Sequence, residues 1–159
     1  MTLKFDRLRE VYPTSSREDL LNSLGGGWPV LINSAGFQNT CALRISVSLM
    51  ALGNAPPADL VASDGNLKNN AVQSLIVRVA SAATWLEQLL GPSDWGINKL
   101  IGAKIDGLIP PWSGILLFRV PGATDASGHG DLWRNMPCRV DCHSDFARAA
   151  RSVEIWRLK

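Results

Sequence analysis

The chain has 159 residues, 46% of them hydrophobic and 19% charged, with a formal net charge of +2. That length fits one domain, residues 1–159, with a core of substantial size, and the scattered basic residues, densest from Arg148 to Arg151 where they read as a solvated face, give no basis for nucleic-acid binding. No stretch approaches the ~20 apolar residues of a membrane span. The mixed start Met1 to Arg7 lacks the roughly 7–15 apolar residues of a secretory signal, so cytoplasmic synthesis without membrane insertion is expected.

In chain order, Ser15 and Glu18 fit a capping box that opens a helix over Glu18 to Leu24, and Gly25 to Gly27 end it. Trp28 to Asn33 is a short apolar connector, and Ser34 to Asn39 a polar loop. A helix from about Thr40 to Leu52 follows, its apolar stripe Ala42, Ile45, Leu49 and Leu52 widened by Leu43, Val47 and Met50. Pro56 to Asn70 reads as loop. A second long helix is expected over Ala71 to Leu90, with Val72, Leu75, Val79, Ala82, Leu86 and Leu89 on one face and Gly91-Pro92 as its stop. Past a Gly/Pro-rich stretch the pattern turns to strand: Ile115 to Val120, His129 to Trp133, Arg139 to Cys142 and Val153 to Leu158. Helices first and strands later define an α+β fold, with the N-terminal helices packed on an antiparallel sheet.

Chemistry concentrates at few positions. Cys41 follows Asn39-Thr40, two helix-capping residue types, which sets it in the first turn of a buried helix. Unpaired amides and the helix dipole there favour thiolate over thiol, and a thiolate can attack a carbonyl carbon while neighbouring amides receive the oxyanion. Cysteines in such apolar helices are also often inert core residues. The chain has only two histidines. His129, in Gly128-His129-Gly130-Asp131-Leu132-Trp133, has small neighbours that allow close approach, whereas His143 reads as structural. A helix-borne cysteine followed much later by a strand-borne histidine is the papain-like order.

Cys138 and Cys142 form a local pair that reads as a disulfide or a metal clip. A zinc site from Cys138, Cys142, His143 and His129 has acceptable cysteine spacing, but adjacent strand residues point to opposite faces and rarely share one ion. A disulfide requires an oxidising workplace, in conflict with a cytoplasmic start.

Three segments carry a resemblance. Asn39-Thr40-Cys41-Ala42-Leu43-Arg44-Ile45-Ser46, Gly128-His129-Gly130-Asp131-Leu132-Trp133 and Cys138-x-x-x-Cys142 resemble, in order, the nucleophile, histidine and disulfide segments of the type VI secretion amidase effector 4 family, and Ile155-Trp156-Arg157-Leu158 is similar to its last strand. The resemblance implies a papain-like, NlpC-type fold and a peptidoglycan amidase that cuts the γ-D-glutamyl to meso-diaminopimelate bond of stem peptides. It implies secretion without a signal peptide by the type VI machinery into the periplasm of a target bacterium, where the Cys138–Cys142 disulfide is permitted, and a cognate immunity protein that blocks the groove. No cofactor or metal is implied.

The same resemblance makes Cys41 the nucleophile and His129 the base and then the acid. The family's acidic third member lies shortly after its histidine. Asp141 fits with a one-residue insertion and would sit on the strand beside His129. Asp131 is the rival: two residues along a strand it shares the histidine's face, though its side chain is expected to meet the ring edge less well. Gln38 or Asn39 are candidate oxyanion donors beside the Cys41 amide, with helix capping an equal role for Asn39. Arg44 either touches a substrate carboxylate or forms a structural salt bridge. A non-catalytic wall-binding module on the same fold, its groove lined by tryptophans, is the remaining alternative.

Overall fold

The architecture follows from where each apolar stripe finds a partner. The computed structural model describes residues 3–98, 108–120, 128–134 and 150–159. Helices α1 (Phe5–Glu10), α2 (Arg17–Leu24), α3 (Cys41–Ala51), α4 (Ala58–Ser63) and α5 (Val79–Leu90) precede strands β1 (Trp95–Asn98), β2 (Ser113–Arg119), β3 (Gly128–Arg134) and β4 (Ser152–Arg157), with a 3₁₀ turn at Pro29–Asn33. The strands form one antiparallel sheet in the order β1-β4-β2-β3. This is the α+β arrangement expected, with helices on one sheet face.

That face carries the main core. Ala42, Ile45 and Leu49 of α3, Val79, Ala82 and Leu86 of α5, and Phe5 and Leu8 of α1 pack on Ile115, Leu117, Leu132 and Trp156. On the opposite face Leu116, Phe118, Trp133, Val153 and Ile155 make a second core with Ile109 and Ala150. Helix α2 rests on the far side of α3 through Leu20, Leu21, Leu24 and Leu43, with Trp28. The alternation along β2 feeds both cores, so the strand reads as a continuous apolar run.

Several local expectations are corrected. The α2 cap is Ser16, whose side chain accepts the Asp19 amide, so the reciprocal cap sits one residue later than Ser15 and Glu18 and uses Asp19 instead. Helix α5 begins at Val79, not Ala71. Val72 stands at φ 59°, outside the right-handed helical region, and a bridge joins Lys68 to Ser74. Asp64 then takes the amides of Val77 and Arg78 at 2.7 and 2.8 Å and the Ser81 hydroxyl at 2.6 Å, while Ser46 takes the Ile76 amide at 3.0 Å. These distant acceptors outcompete the helical bonds that Val72 and Leu75 would have needed. Replacing Asp64 by Ala is therefore expected to cost about 1–2 kcal/mol and to lower the Tm by several degrees, measured by thermal unfolding.

The short helices α1 and α4 and strand β1 escape the periodicity argument because each has only four to six residues. Tertiary contacts make them. The Phe5 amide donates to the Lys159 carbonyl at 3.1 Å, and β1 exists only as the partner of β4.

Candidate active site

Helix α3 presents Cys41 as its first residue, 5% exposed. The start of the helix is held in place through Arg44, which is buried. The guanidinium donates to the carbonyls of Pro13 and Ser15 at 2.7 and 2.9 Å, and its Nε to Thr40 Oγ1 at 3.1 Å. Arg44 thus ties the segment before α2 to the first turn of α3, a use of arginine's fan of donors that the sequence pattern did not distinguish from a salt bridge.

Strand β3 brings the other half. Phe118 lies opposite His129 and Leu116 opposite Asp131 in the β2–β3 register, and Phe118 and His129 ring centroids are 6.3 Å apart. Between the two polar residues Gly130 has no side chain. A Cβ there would lie 2.8 Å from Ile45 Cδ1 and 2.7 Å from Leu117 Cδ2, so α3 seats directly on the strand backbone. That close approach is what the glycines around the histidine signal in the sequence.

His129 Nε2 meets Asp131 Oδ2 at 2.7 Å, and both side chains are 4% exposed. The Cys41 side chain also acts on the His129 ring, favouring its charged form. Cysteine, histidine and aspartate therefore form one buried chain of contacts. The expectation that Asp131 meets the ring edge poorly is corrected: residues two apart on a strand share a face, and this pair is in close contact. Asp141, Cys138, Cys142 and His143, and with them the strand expected over Arg139 to Cys142, lie outside the described residues.

The loop before α3 behaves differently from the oxyanion expectation. Gln38 donates its side-chain amide to the Ser34 carbonyl at 2.8 Å. Asn39 accepts the Cys41 amide on Oδ1 at 3.0 Å and donates from Nδ2 to the Gly128 carbonyl at 3.0 Å. The Cys41 amide is therefore engaged by the Asn39 side chain.

Burial alone would push the His129 pKa down by penalising the charged ring. The Asp131 hydrogen bond and then the Cys41 contact, with the charges of both, more than offset this and raise it from 6.5 to about 10. At neutral pH the ring is an imidazolium held by the Asp131 carboxylate, with the Cys41 side chain beside it. Because the folded-state value lies above the unfolded one, this pairing contributes its full stability below about pH 6.5 and loses it as pH rises through about 10. The Tm difference between the wild type and His129→Gln is accordingly expected to be largest at pH 6 and to shrink steadily toward pH 10. A difference that stays level over that window contradicts the paired imidazolium.

The tryptophans do not form a groove. Trp28, Trp85, Trp133 and Trp156 are buried, and Trp95 and Trp112 pack against the second core. Among the described residues no cluster of three or more histidine, cysteine or acidic groups is set to hold a metal. No helix among them is long and apolar enough to cross a membrane.

A buried thiol at a helix start, touching a histidine that is itself held by an aspartate, is the arrangement of a cysteine-based hydrolase. The comparisons with known proteins give the particular kind. The family model described as type VI secretion system (T6SS), amidase effector protein 4, matches residues 37–156, and the chain belongs to that family. The type VI effector Tae4 from Enterobacter cloacae is 25% identical, with a TM-score of 0.76 over 100% of this chain and 98% of that one. The type VI effector-immunity complex Tae4-Tai4 from the same organism matches at 26% identity and a TM-score of 0.72, covering 98% and 95% of the two chains. The corresponding Salmonella Typhimurium complex, at 24% identity and a TM-score of 0.72 over 98% and 95%, shares the fold. No curated protein matches significantly.

Proposed function

We propose that this effector is an antibacterial cysteine amidase that hydrolyses the γ-D-glutamyl to meso-diaminopimelate bond of peptidoglycan stem peptides, working as a single domain on a papain-like, NlpC-type fold. The observation that carries the reading is the buried contact chain Cys41, His129, Asp131 at the N-terminus of α3.

In this mechanism the Cys41 thiolate attacks the γ-glutamyl carbonyl carbon, and the carbonyl oxygen takes the negative charge beside the positive end of α3. The His129 imidazolium gives its proton to the departing amine, the C–N bond breaks, and a thioester remains on Cys41. Water then loses a proton to His129 as it attacks the thioester, and collapse releases the free γ-carboxylate and restores the thiolate–imidazolium pair. Asp131 keeps Nε2–H engaged, and Nδ1 is the nitrogen we assign to the sulfur. Asp141 is the acid that the family resemblance points to, whereas contact geometry supports Asp131.

Two of these solved relatives are complexes of an effector with an immunity protein, which supports a cognate immunity protein as the partner that silences this site in the producing cell. Delivery by the type VI machinery and action in the target periplasm go with the family, and that compartment permits a Cys138–Cys142 disulfide. Digestion of purified peptidoglycan tests the substrate. Mass spectrometry is expected to find fragments with new free γ-glutamyl carboxylates and diaminopimelate amines with the wild type and none with Cys41→Ala. Cleavage at another bond, or equal cleavage by the alanine variant, overturns the reading.

A further inference from the structure

We infer that Asn39 is a positioning residue, a clamp that sets the distance between the thiol and the imidazole by bonding to both elements that carry them. Its amide group is used at both ends. Oδ1 accepts the Cys41 N–H at 3.0 Å, and Nδ2 donates to the Gly128 carbonyl at 3.0 Å, 89 residues away in sequence. One of these bonds ends on the nucleophile's own backbone, and the other on the residue immediately before His129 on β3. Asn39 is thus a two-bond strut between the start of the nucleophile helix and the start of the histidine strand.

Apart from the interaction of Cys41 with His129, the contact of α3 with Gly130 on β3 is apolar. Ile45 slides over Gly130 without directional preference, and dispersion contacts of that kind fix separation but not register along the strand. Hydrogen bonds carry direction. The Gly128 backbone is held on its other side by the β2–β3 pairing, Arg119 opposite Gly128 and Phe118 opposite His129. The strand end is therefore braced by β2 and pulled toward α3 by Asn39. The side chain donates its amino group to Gly128 and turns only an acceptor toward Cys41, an arrangement that positions the pair and leaves no donor for an oxyanion.

The inference rests on Cys41 and His129 being the reacting pair, and its test separates the two. Alkylation of Cys41 by iodoacetamide, followed by mass spectrometry at that residue, forms a carbon–sulfur bond with loss of iodide and develops no oxyanion. It therefore reads the thiolate–imidazolium pair without reading oxyanion stabilisation or substrate binding. The wild type is expected to alkylate readily at pH 6. Asn39→Ser and Asn39→Asp both keep an oxygen of a good helix-capping residue for the Cys41 amide, but both lose the amino group that reaches Gly128. Serine is the uncharged control for the aspartate.

Both variants are expected to keep the wild-type Tm within a few degrees and to alkylate roughly tenfold or more slowly at pH 6, recovering only as an ordinary thiol ionises near pH 8.5. On peptidoglycan both are expected to lose kcat with KM little changed. If either folded variant keeps the wild-type alkylation profile, the clamp is refuted, and a fall in hydrolysis alone then marks Asn39 as an oxyanion donor. If the wild type itself alkylates at pH 6 no faster than a free thiol, the Cys41–His129 pairing fails and the clamp with it.

Discussion

Cys41→Ala is expected to lower kcat on peptidoglycan by about 10⁴-fold or more, because no other group on the described surface of the site can form the thioester, and removal of a nucleophile leaves only residual positioning effects. The fold should survive. The change deletes one buried sulfur and leaves the rest of α3's apolar stripe in place, a loss of about 1 kcal/mol and a few degrees of Tm at most. The measurement is a paired one, release of γ-glutamyl carboxylate against thermal unfolding on the same preparation. Activity within about tenfold of wild type, in a folded variant, removes Cys41 from the reaction. Loss of folding alongside activity would instead mark the thiol as a core residue, and Cys41→Ser, with a similar volume, then separates packing from chemistry.

The second large effect is expected at Asp131. Its carboxylate accepts from His129 Nε2 at 2.7 Å in a site where both side chains are almost fully buried, and it is foremost among the groups that raise the ring's pKa to about 10 against the desolvation that would lower it. Asp131→Asn keeps the shape but can turn an N–H toward Nε2. That donor demands an unprotonated Nε2, which moves the ring's proton to Nδ1, the nitrogen assigned to the sulfur. The histidine then cannot take the thiol proton, and kcat is expected to fall by about 10²–10⁴-fold. The pH dependence should change with it, since loss of the carboxylate lowers the imidazole pKa.

Asp141→Asn, measured beside it, decides between the two acids. A large loss there, with Asp131→Asn within about threefold of wild type, transfers the orienting role to Asp141. Comparable large losses in both would mean that the ring is held by two carboxylates.

Much of this molecule is legible without coordinates. The α3 stripe of Ala42, Ile45 and Leu49 recurs at helical spacing over about two turns, enough for periodicity to identify the helix to within a residue at each end. The apolar run Ile115 to Val120 is equally plain, since β-branched and aromatic residues bounded by Gly114 and Pro121 have few other uses, and the shorter candidates His129 to Trp133 and Val153 to Leu158 fall on β3 and β4. The scarcity of histidine singled out His129 as soon as Cys41 stood at a helix start.

What escaped is what local pattern does not contain. The stretch from Val72 to Arg78 carries an apolar spacing that suits a helix, yet Asp64 and Ser46 take its amides from other parts of the chain. Arg44, three residues after Cys41, left a salt bridge or a substrate carboxylate as its expected partners, but its donors found the carbonyls of Pro13 and Ser15.

Cys41 and His129 as the candidates, and the α+β layering that carries them, were determined by residue type and spacing alone, because a helix stripe and a strand alternation are local properties of the backbone period. The tertiary structure decided that Asp131 meets the imidazole, which amide Asn39 engages and where α5 begins. Each depends on a hydrogen bond between distant or differently oriented groups, whose strength lies in an angle and a distance of a few tenths of an ångström that one-dimensional spacing does not encode.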